Sequence, residues 1–205
     1  GIIIDADNFS YNKITNILNA NGNVKIDNKN ENYLIYSNNA TYLKNEELFL
    51  TNGNSKAINK GIIINADNFS YNKITNILNA SGNVEIEDTY NDHLIFTNEA
   101  TYYKNYEKIT TIGVTDASIQ SKYIVNSKNV TYLHNQEILK SKYKTKVKDQ
   151  DSSRVYFAEN VNYSINQEIL KGDKVLIVTN YNLPKSDKLF LENAIINLKD
   201  KKFIA

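Results

Sequence analysis

A tyrosine recurs through this sequence at a nearly fixed step. Tyr11, Tyr42, Tyr71, Tyr102, Tyr132 and Tyr163 are spaced by 31, 29, 31, 30 and 31 residues, and a seventh unit puts Ile196 in that place 33 residues on. A period of this size constrains the fold more than composition can. It means one supersecondary unit, copied, with each copy burying its apolar face against its neighbours. The columns around the anchor keep their character. Seven before it stand Ile4, Ile35, Ile64, Ile95, Val125, Tyr156 and Leu189. Two before it stand Phe9, Ala40, Phe69, Ala100, Val130, Val161 and Ala194. Seven after it stand Leu18, Phe49, Leu78, Ile109, Leu139, Leu170 and Phe203, and nine after it the residue is always small, from Ala20 to Ala205.

The spacing says what the unit is. Leu18, Ala20, Gly22, Val24 and Ile26 alternate with Asn19, Asn21, Asn23 and Lys25, the period of two that marks a strand with one wet and one dry face. On the near side Ile4 and Ala6 share a face, but Phe9 and Tyr11 are offset by three from Ala6, which predicts a β-bulge in that strand. Polar turns such as Asn12–Thr15, Lys44–Glu46 and His134–Gln136 join the strands, and Asn suits them because it tolerates left-handed backbone. Each repeat is therefore strand, tight turn, strand. A helical reading fails, since apolar residues do not recur at three and four.

The chain has 205 residues with 41% hydrophobic side chains, enough for one all-β domain spanning 1–205. Its formal net charge of +1 argues against nucleic acid or an anionic membrane surface as the main partner. It has no Cys, so disulfides and thiolate metal sites are out. No apolar run is long enough to span a membrane as a helix. Because the sequence opens and closes inside repeat units, it is expected to be a fragment of a longer chain, with any targeting segment outside it.

Residues 1–26 and 61–86 match at 23 of 26 positions, which reads as duplication of a two-hairpin block. A scaffold extends readily by copying, whereas a catalytic site is rarely built twice. From Lys140 to Lys148 five lysines alternate with other residues. They predict one cationic strand face, either solvated to discourage edge pairing or in contact with an anionic headgroup. Asp149 to Arg154 reads as a polar loop, and Asn180 to Asp187, with the only proline, as a loop or sheet edge.

Chemistry is mostly missing. His93 and His134 fall in different columns and read as surface residues without partners. Asp5 and Asp7 make a weak acid pair, since the second copy replaces Asp5 by Asn65. No nucleophile triad, phosphate loop or zinc spacing is present, so no enzyme, metal or cofactor is expected. Gly22, Gly53, Gly82 and Gly113 share one column and mark bulges or close backbone approach. What remains is the inward surface, either a packed core or a groove for an apolar guest, with small columns leaving room and aromatic columns giving flat walls. Its candidate lining is Ile4, Phe9, Tyr11, Leu18, Ile35, Tyr42, Phe49, Ile64, Phe69, Tyr71, Leu78, Ile95, Tyr102, Ile109, Val125, Tyr132, Leu139, Tyr163 and Leu170.

Ala6-Asp7-Asn8-Phe9-Ser10-Tyr11-Asn12, followed by Leu18-Asn19-Ala20-Asn21-Gly22-Asn23-Val24-Lys25-Ile26, resembles the OstA-like module of lipopolysaccharide transport, roughly A-D-x-x-x-Y-D/N, a turn, then L-x-A-x-G-N-V-x-I. Ala66 to Ile86 matches equally, and weaker units at Tyr42, Tyr102, Tyr132 and Tyr163 carry the pattern along the chain. The resemblance implies a β-jellyroll of two facing antiparallel sheets in the periplasm of a Gram-negative bacterium, associated with the outer membrane. It implies lipopolysaccharide as ligand, with acyl chains between the sheets, and other jellyrolls of the Lpt type as partners through edge-strand pairing. Among family members it favours the amino-terminal domain of LptD, whose partners are an outer-membrane β-barrel and its lipoprotein plug. The rival expectation is a structural β-solenoid or adhesin-like repeat with a dry core and no lipid.

Overall fold

The computed structural model describes residues 2–29, 32–150 and 153–205; Asp151 and Ser152 of the expected polar loop lie outside them. The described residues form an all-β antiparallel meander of seventeen strands. They are β1 (Ile2–Asp5), β2 (Asn8–Asn12), β3 (Ile17–Asn28), β4 (Tyr33–Leu43), β5 (Leu48–Asn59), β6 (Ile62–Asn72), β7 (Ile77–Asp88), β8 (His93–Tyr103), β9 (Lys108–Ile119), β10 (Tyr123–Lys128), β11 (Thr131–Leu133), β12 (Ile138–Ser141), β13 (Thr145–Asp149), β14 (Val155–Ser164), β15 (Ile169–Thr179), β16 (Asp187–Asn197) and β17 (Lys202–Ile204). Each strand pairs with the next along the chain. Where a strand is interrupted, its two pieces lie along one neighbour: β1 and β2 along β3, β10 and β11 along β9, β12 and β13 along β14. The strand–turn–strand units stand where the sequence period puts them, and of the expected Asn180–Asp187 segment residues 180–186 form a loop, with Asp187 opening β16.

The turns keep the period too. Asn16, Glu47, Asn76, Glu107, Glu137, Glu168 and Lys201, each five after the anchor, all have left-handed backbone, with φ between 46° and 57°. The carbonyl of each of the first six accepts a hydrogen bond from the next turn, as in Lys104 N–H to Asn76 O at 3.1 Å and His134 N–H to Glu107 O at 3.0 Å. The turns therefore stack like the strands.

Mid-strand, the register breaks at one level from β3 to β15, and only between β15 and β16 does it run unbroken. Between Asn65 and Asn68 of β6 lie two residues, while between their partners Ser81 and Glu85 of β7 lie three. The extra residue belongs to Gly82-Asn83, both left-handed, and the same holds at Gly53-Asn54 opposite β4. This relocates the expected bulge. Ala66 and Phe69 of the near strand are both buried, so its side chains do slip by one, but the inserted residue sits on the glycine strand. Glycine is needed there twice over: φ is +78° at Gly82, and a Cβ would overlap the Asp67 carboxylate, which Asn83 Nδ2 holds at 3.0 Å.

At this level each strand bends, and its two halves enter opposite layers. The jellyroll's two sheets are thus halves of one continuous sheet. We call the half bearing the Tyr anchors the near half and the half bearing Ile35, Ile64 and Ile95 the far half. Where they converge small side chains dominate, among them Ala80, Ala100, Thr111 and Ser141, all buried, and Phe69 fills the space beside Ala80 and Thr51. A Cβ on Gly172 would overlap that of Ala158. The small columns are therefore the packed corner of the fold, not room for a guest. Hydroxyls trapped there bond one another, Thr111 with Thr115 at 2.6 Å and Ser127 with Thr145 at 2.7 Å, as buried polar groups must.

Candidate functional site between the two half-sheets

Opposite the corner, the free ends of the halves meet along a seam. No backbone hydrogen bond joins them among the described residues, and side chains do the closing. Tyr102 donates to Asn59 Oδ1 at 3.0 Å, beside a Lys60–Glu107 ion pair at 2.5 Å. Tyr132 donates to Asp88 Oδ2 at 2.6 Å, and His134 Nδ1 lies 2.8 Å from the same oxygen. His93 Nε2 is 3.9 Å from Glu137. Tyr123 and Lys122 both donate to Glu168 Oε2, at 2.6 and 2.7 Å. Near the C-terminal end Lys201 Nζ is 3.7 Å from Asp149, and Arg154 donates to the Lys201 carbonyl.

These groups are electrostatically committed. Burial pushes the Asp88 carboxyl up, but hydrogen bonds from Tyr132, Asn91 and His134 outweigh it and hold it below its ordinary range. Glu168 is likewise raised by burial and held low by Lys122 and Tyr123. Burial, then the Asp88 carboxylate, pushes the Tyr132 phenol far above its usual value, so it stays a donor. This corrects the reading of the histidines. His93 is 2% exposed, His134 is locked to Asp88, and both meet the Tyr132 ring edge-on. Among the described residues no three acids or histidines are grouped so as to hold a metal.

Seam partners are offset along the chain by 43 to 52 residues, about one and a half repeats. The two halves are therefore staggered, and each end of the stack leaves a bare half. At the N-terminal end the near half lacks a cover. Phe9 and Tyr11 are 50% and 45% exposed, while Phe69 and Tyr71, in the same sequence copied, are 3% exposed. At the C-terminal end the far half is bare. A cavity of about 220 Å³ opens there, walled by Tyr156, Ile177, Leu189, Ile196 and Phe203, with Arg154, Lys188 and Lys201 at its mouth.

Of the predicted lining, Ile35, Phe49, Ile64, Phe69, Tyr71, Leu78, Ile95, Tyr102, Ile109, Val125, Tyr132, Leu139, Tyr163 and Leu170 are buried in one continuous core. Ile4, Leu18 and Tyr42 are half-buried near the N-terminal end, and Phe9 and Tyr11 stand exposed on it. The interior midway is nearly closed. A cavity of about 20 Å³ lies among Tyr33, Ile35, Ile64, Tyr71, Leu78 and Tyr102, room for one water. Tyr33 meets Tyr71 edge-on at 4.8 Å between ring centres, and Lys104 Nζ caps the Tyr33 ring at 4.9 Å. Sequence reasoning missed the seam. Its signal is the column five after the anchor, Glu at 47, 107, 137 and 168, an odd choice for left-handed backbone unless the side chain has work elsewhere.

No protein-family model matches the sequence, and no curated protein matches it. A solved structure similar to this chain is LptH, the LptA-homologous periplasmic component of the lipopolysaccharide transport device from Pseudomonas aeruginosa, at 10% identity over 93% of this chain and 95% of that one, with a TM-score of 0.27.

Proposed function

We propose that this chain is a lipid carrier that holds the acyl chains of a lipopolysaccharide-like amphiphile between its half-sheets. The observation that carries the reading is the seam. A continuous apolar core is closed along one whole side by side-chain bonds alone, so the halves can part there without breaking a β-ladder. Burying one CH₂ contributes about 0.8 kcal/mol, so a fully seated twelve-carbon chain gains roughly 9 kcal/mol, enough to offset several seam contacts at about 1–3 kcal/mol each. The repeated columns make near-equal stations along which a chain can be passed on.

The resemblance to the OstA-like module supports the same reading, and with it a periplasmic location at the outer membrane of a Gram-negative bacterium. The bare half at each end supports partners of the same architecture, each supplying the missing cover by edge-strand pairing. Within the family the amino-terminal domain of LptD is our preferred identity, with the outer-membrane barrel and its lipoprotein plug as further partners. Favouring the rival, a structural repeat without ligand, is the 20 Å³ central cavity: lipid entry requires the seam to open.

Native mass spectrometry of the protein with lipopolysaccharide and with a simple phospholipid tests this. A saturable lipopolysaccharide adduct is expected, lost in Leu78→Arg, whose side chain faces the core, and kept in Asn79→Arg, which faces solvent. Leu18→Arg, half-buried at the N-terminal end, serves if Leu78→Arg does not fold. A folded wild-type protein without any adduct sinks the carrier and leaves the structural repeat.

A further inference from the structure

We propose that the outer face of β13–β16 docks on a bilayer that carries anionic lipid. The inference is independent of the interior and starts from one rung of the sheet. Paired residues run across the far half from edge to edge as Lys25, Tyr36, Lys56, Asn65, Glu85, Phe96, Asp116, Asn126, Lys146, Phe157, Leu176 and Phe190. Up to Asp116 the rung mixes signs and polar groups, the ordinary solvated face. From Lys146 onward it is one cation followed by three apolar side chains. The neighbouring rung, apolar for much of its length, ends Lys148, Val155, Val178, Lys188; both valines are buried and both lysines are exposed.

The fold leaves the apolar stripe partly open, with Phe157 and Leu176 half-buried and its edge exposed. Phe190 is 71% exposed, and Leu183, in the loop that crosses this end, is 56% exposed. Aromatic rings and lysines interleave. Lys144 Nζ lies 5.7 Å from the Phe157 ring centre, Lys146 Nζ 5.0 Å from that of Tyr181, and Tyr181 packs on Phe157 at 6.4 Å. A solvated anti-pairing face needs the charges but not the rings. A flat sheet face with apolar and aromatic side chains among lysines matches the bilayer interface, where rings sit at headgroup depth and cations meet anionic lipid. On a chain of net charge +1 the segregation is local, so the attraction is local.

The test is co-sedimentation of the whole chain with vesicles of phosphatidylcholine alone and of phosphatidylcholine mixed with phosphatidylglycerol. Binding is expected to the mixed vesicles only and to weaken as salt is raised. The combined K144Q, K146Q and K148Q variant should lower it on the order of a hundredfold, and Phe190→Ser, at a side chain the fold does not bury, should lower it separately. Both variants should keep the lipopolysaccharide adduct, which separates this surface from the interior. Equal binding to phosphatidylcholine alone, no binding to either vesicle, or mixed-vesicle binding unchanged in the lysine variant overturns the proposal. The lysines would then form a solvated face or meet an acidic protein.

Discussion

Tyr132 reaches across the seam to Asp88, 44 residues earlier in the chain, and its hydroxyl lies 2.6 Å from the Asp88 carboxylate. The carboxylate is 2% exposed and also takes His134 and Asn91. Removing the acceptor strands more than removing one donor. Asp88→Ala should cost about 3 kcal/mol, because it leaves the Tyr132 hydroxyl and the His134 ring without their buried partner. Tyr132→Phe should cost about 1.5 kcal/mol, since His134 and Asn91 still hold the carboxylate. Urea unfolding of the two variants measures the order, and Asp88→Ala within about 0.5 kcal/mol of wild type would mean that the seam does not hold the fold.

Acid should open the seam before it unfolds the sheet. Asp88 and Glu168 are both held below their ordinary carboxylate values by bonds made only in the folded chain. A carboxyl lowered on folding adds stability that is present above its unfolded value, about pH 4, and lost as pH falls through the lower folded value. The backbone ladders carry no such group. Below about pH 4, uptake of an apolar dye should rise while the far-ultraviolet strand signal persists. Glu168→Gln, which keeps an acceptor for Lys122 and Tyr123 but cannot titrate, should shrink that acid step. Simultaneous loss of both signals would refute a separately opening seam.

The bulge glycines should not be equivalent. At Gly82 a side chain meets both left-handed strain and the Asp67 carboxylate, whereas at Gly113, with φ +85°, a Cβ would meet nothing within 4 Å. Gly113→Ala should cost about 1 kcal/mol, the strain alone. Gly82→Ala should cost more, about 2–3 kcal/mol, and Asp67→Ala in the same chain should recover the difference. Thermal unfolding of the three variants decides it. Equal costs at the two glycines would mean that the Asp67 contact yields freely.

Much of the fold is legible in the sequence because it is local. Period two in Leu18–Ile26 declares strands, the anchor step declares hairpin stacking, and the three-residue offset of Ala6 from Phe9 declares a bend. The seam is not legible in the same way, because its partners stand one and a half repeats apart, and that offset comes from how two half-sheets lie over one another. No column of a single repeat contains both Asp88 and Tyr132. For the same reason the histidines look isolated in sequence, and the small columns look like empty space rather than a packed corner. End effects are invisible as well: Phe9 and Phe69 sit in identical surroundings in sequence, and only the stack decides which is covered.

That identity of sequence makes the sharpest comparison. Tyr11 and Tyr71 occupy the same place in a copied block, donate to the same turn residue, Asn16 Oδ1 at 2.7 Å and Asn76 Oδ1 at 2.8 Å, and differ only in cover. Intrinsic propensity and the local hydrogen bond are therefore matched between them. Tyr71→Ala should cost about 3–5 kcal/mol, the range for deleting a buried aromatic, and Tyr11→Ala about 1 kcal/mol or less. The difference comes from burial by the opposing half-sheet, edge-on contact of Tyr71 with Tyr33 included, and from β5, a second neighbouring strand that Tyr11 on the edge strand β2 lacks. Chemical denaturation of both single variants measures it directly. If the two cost the same, the stagger between the half-sheets is wrong. If a jellyroll partner bound at the N-terminal end raises the cost of Tyr11→Ala toward that of Tyr71→Ala, the bare half has found the cover that earlier repeats supply inside the chain.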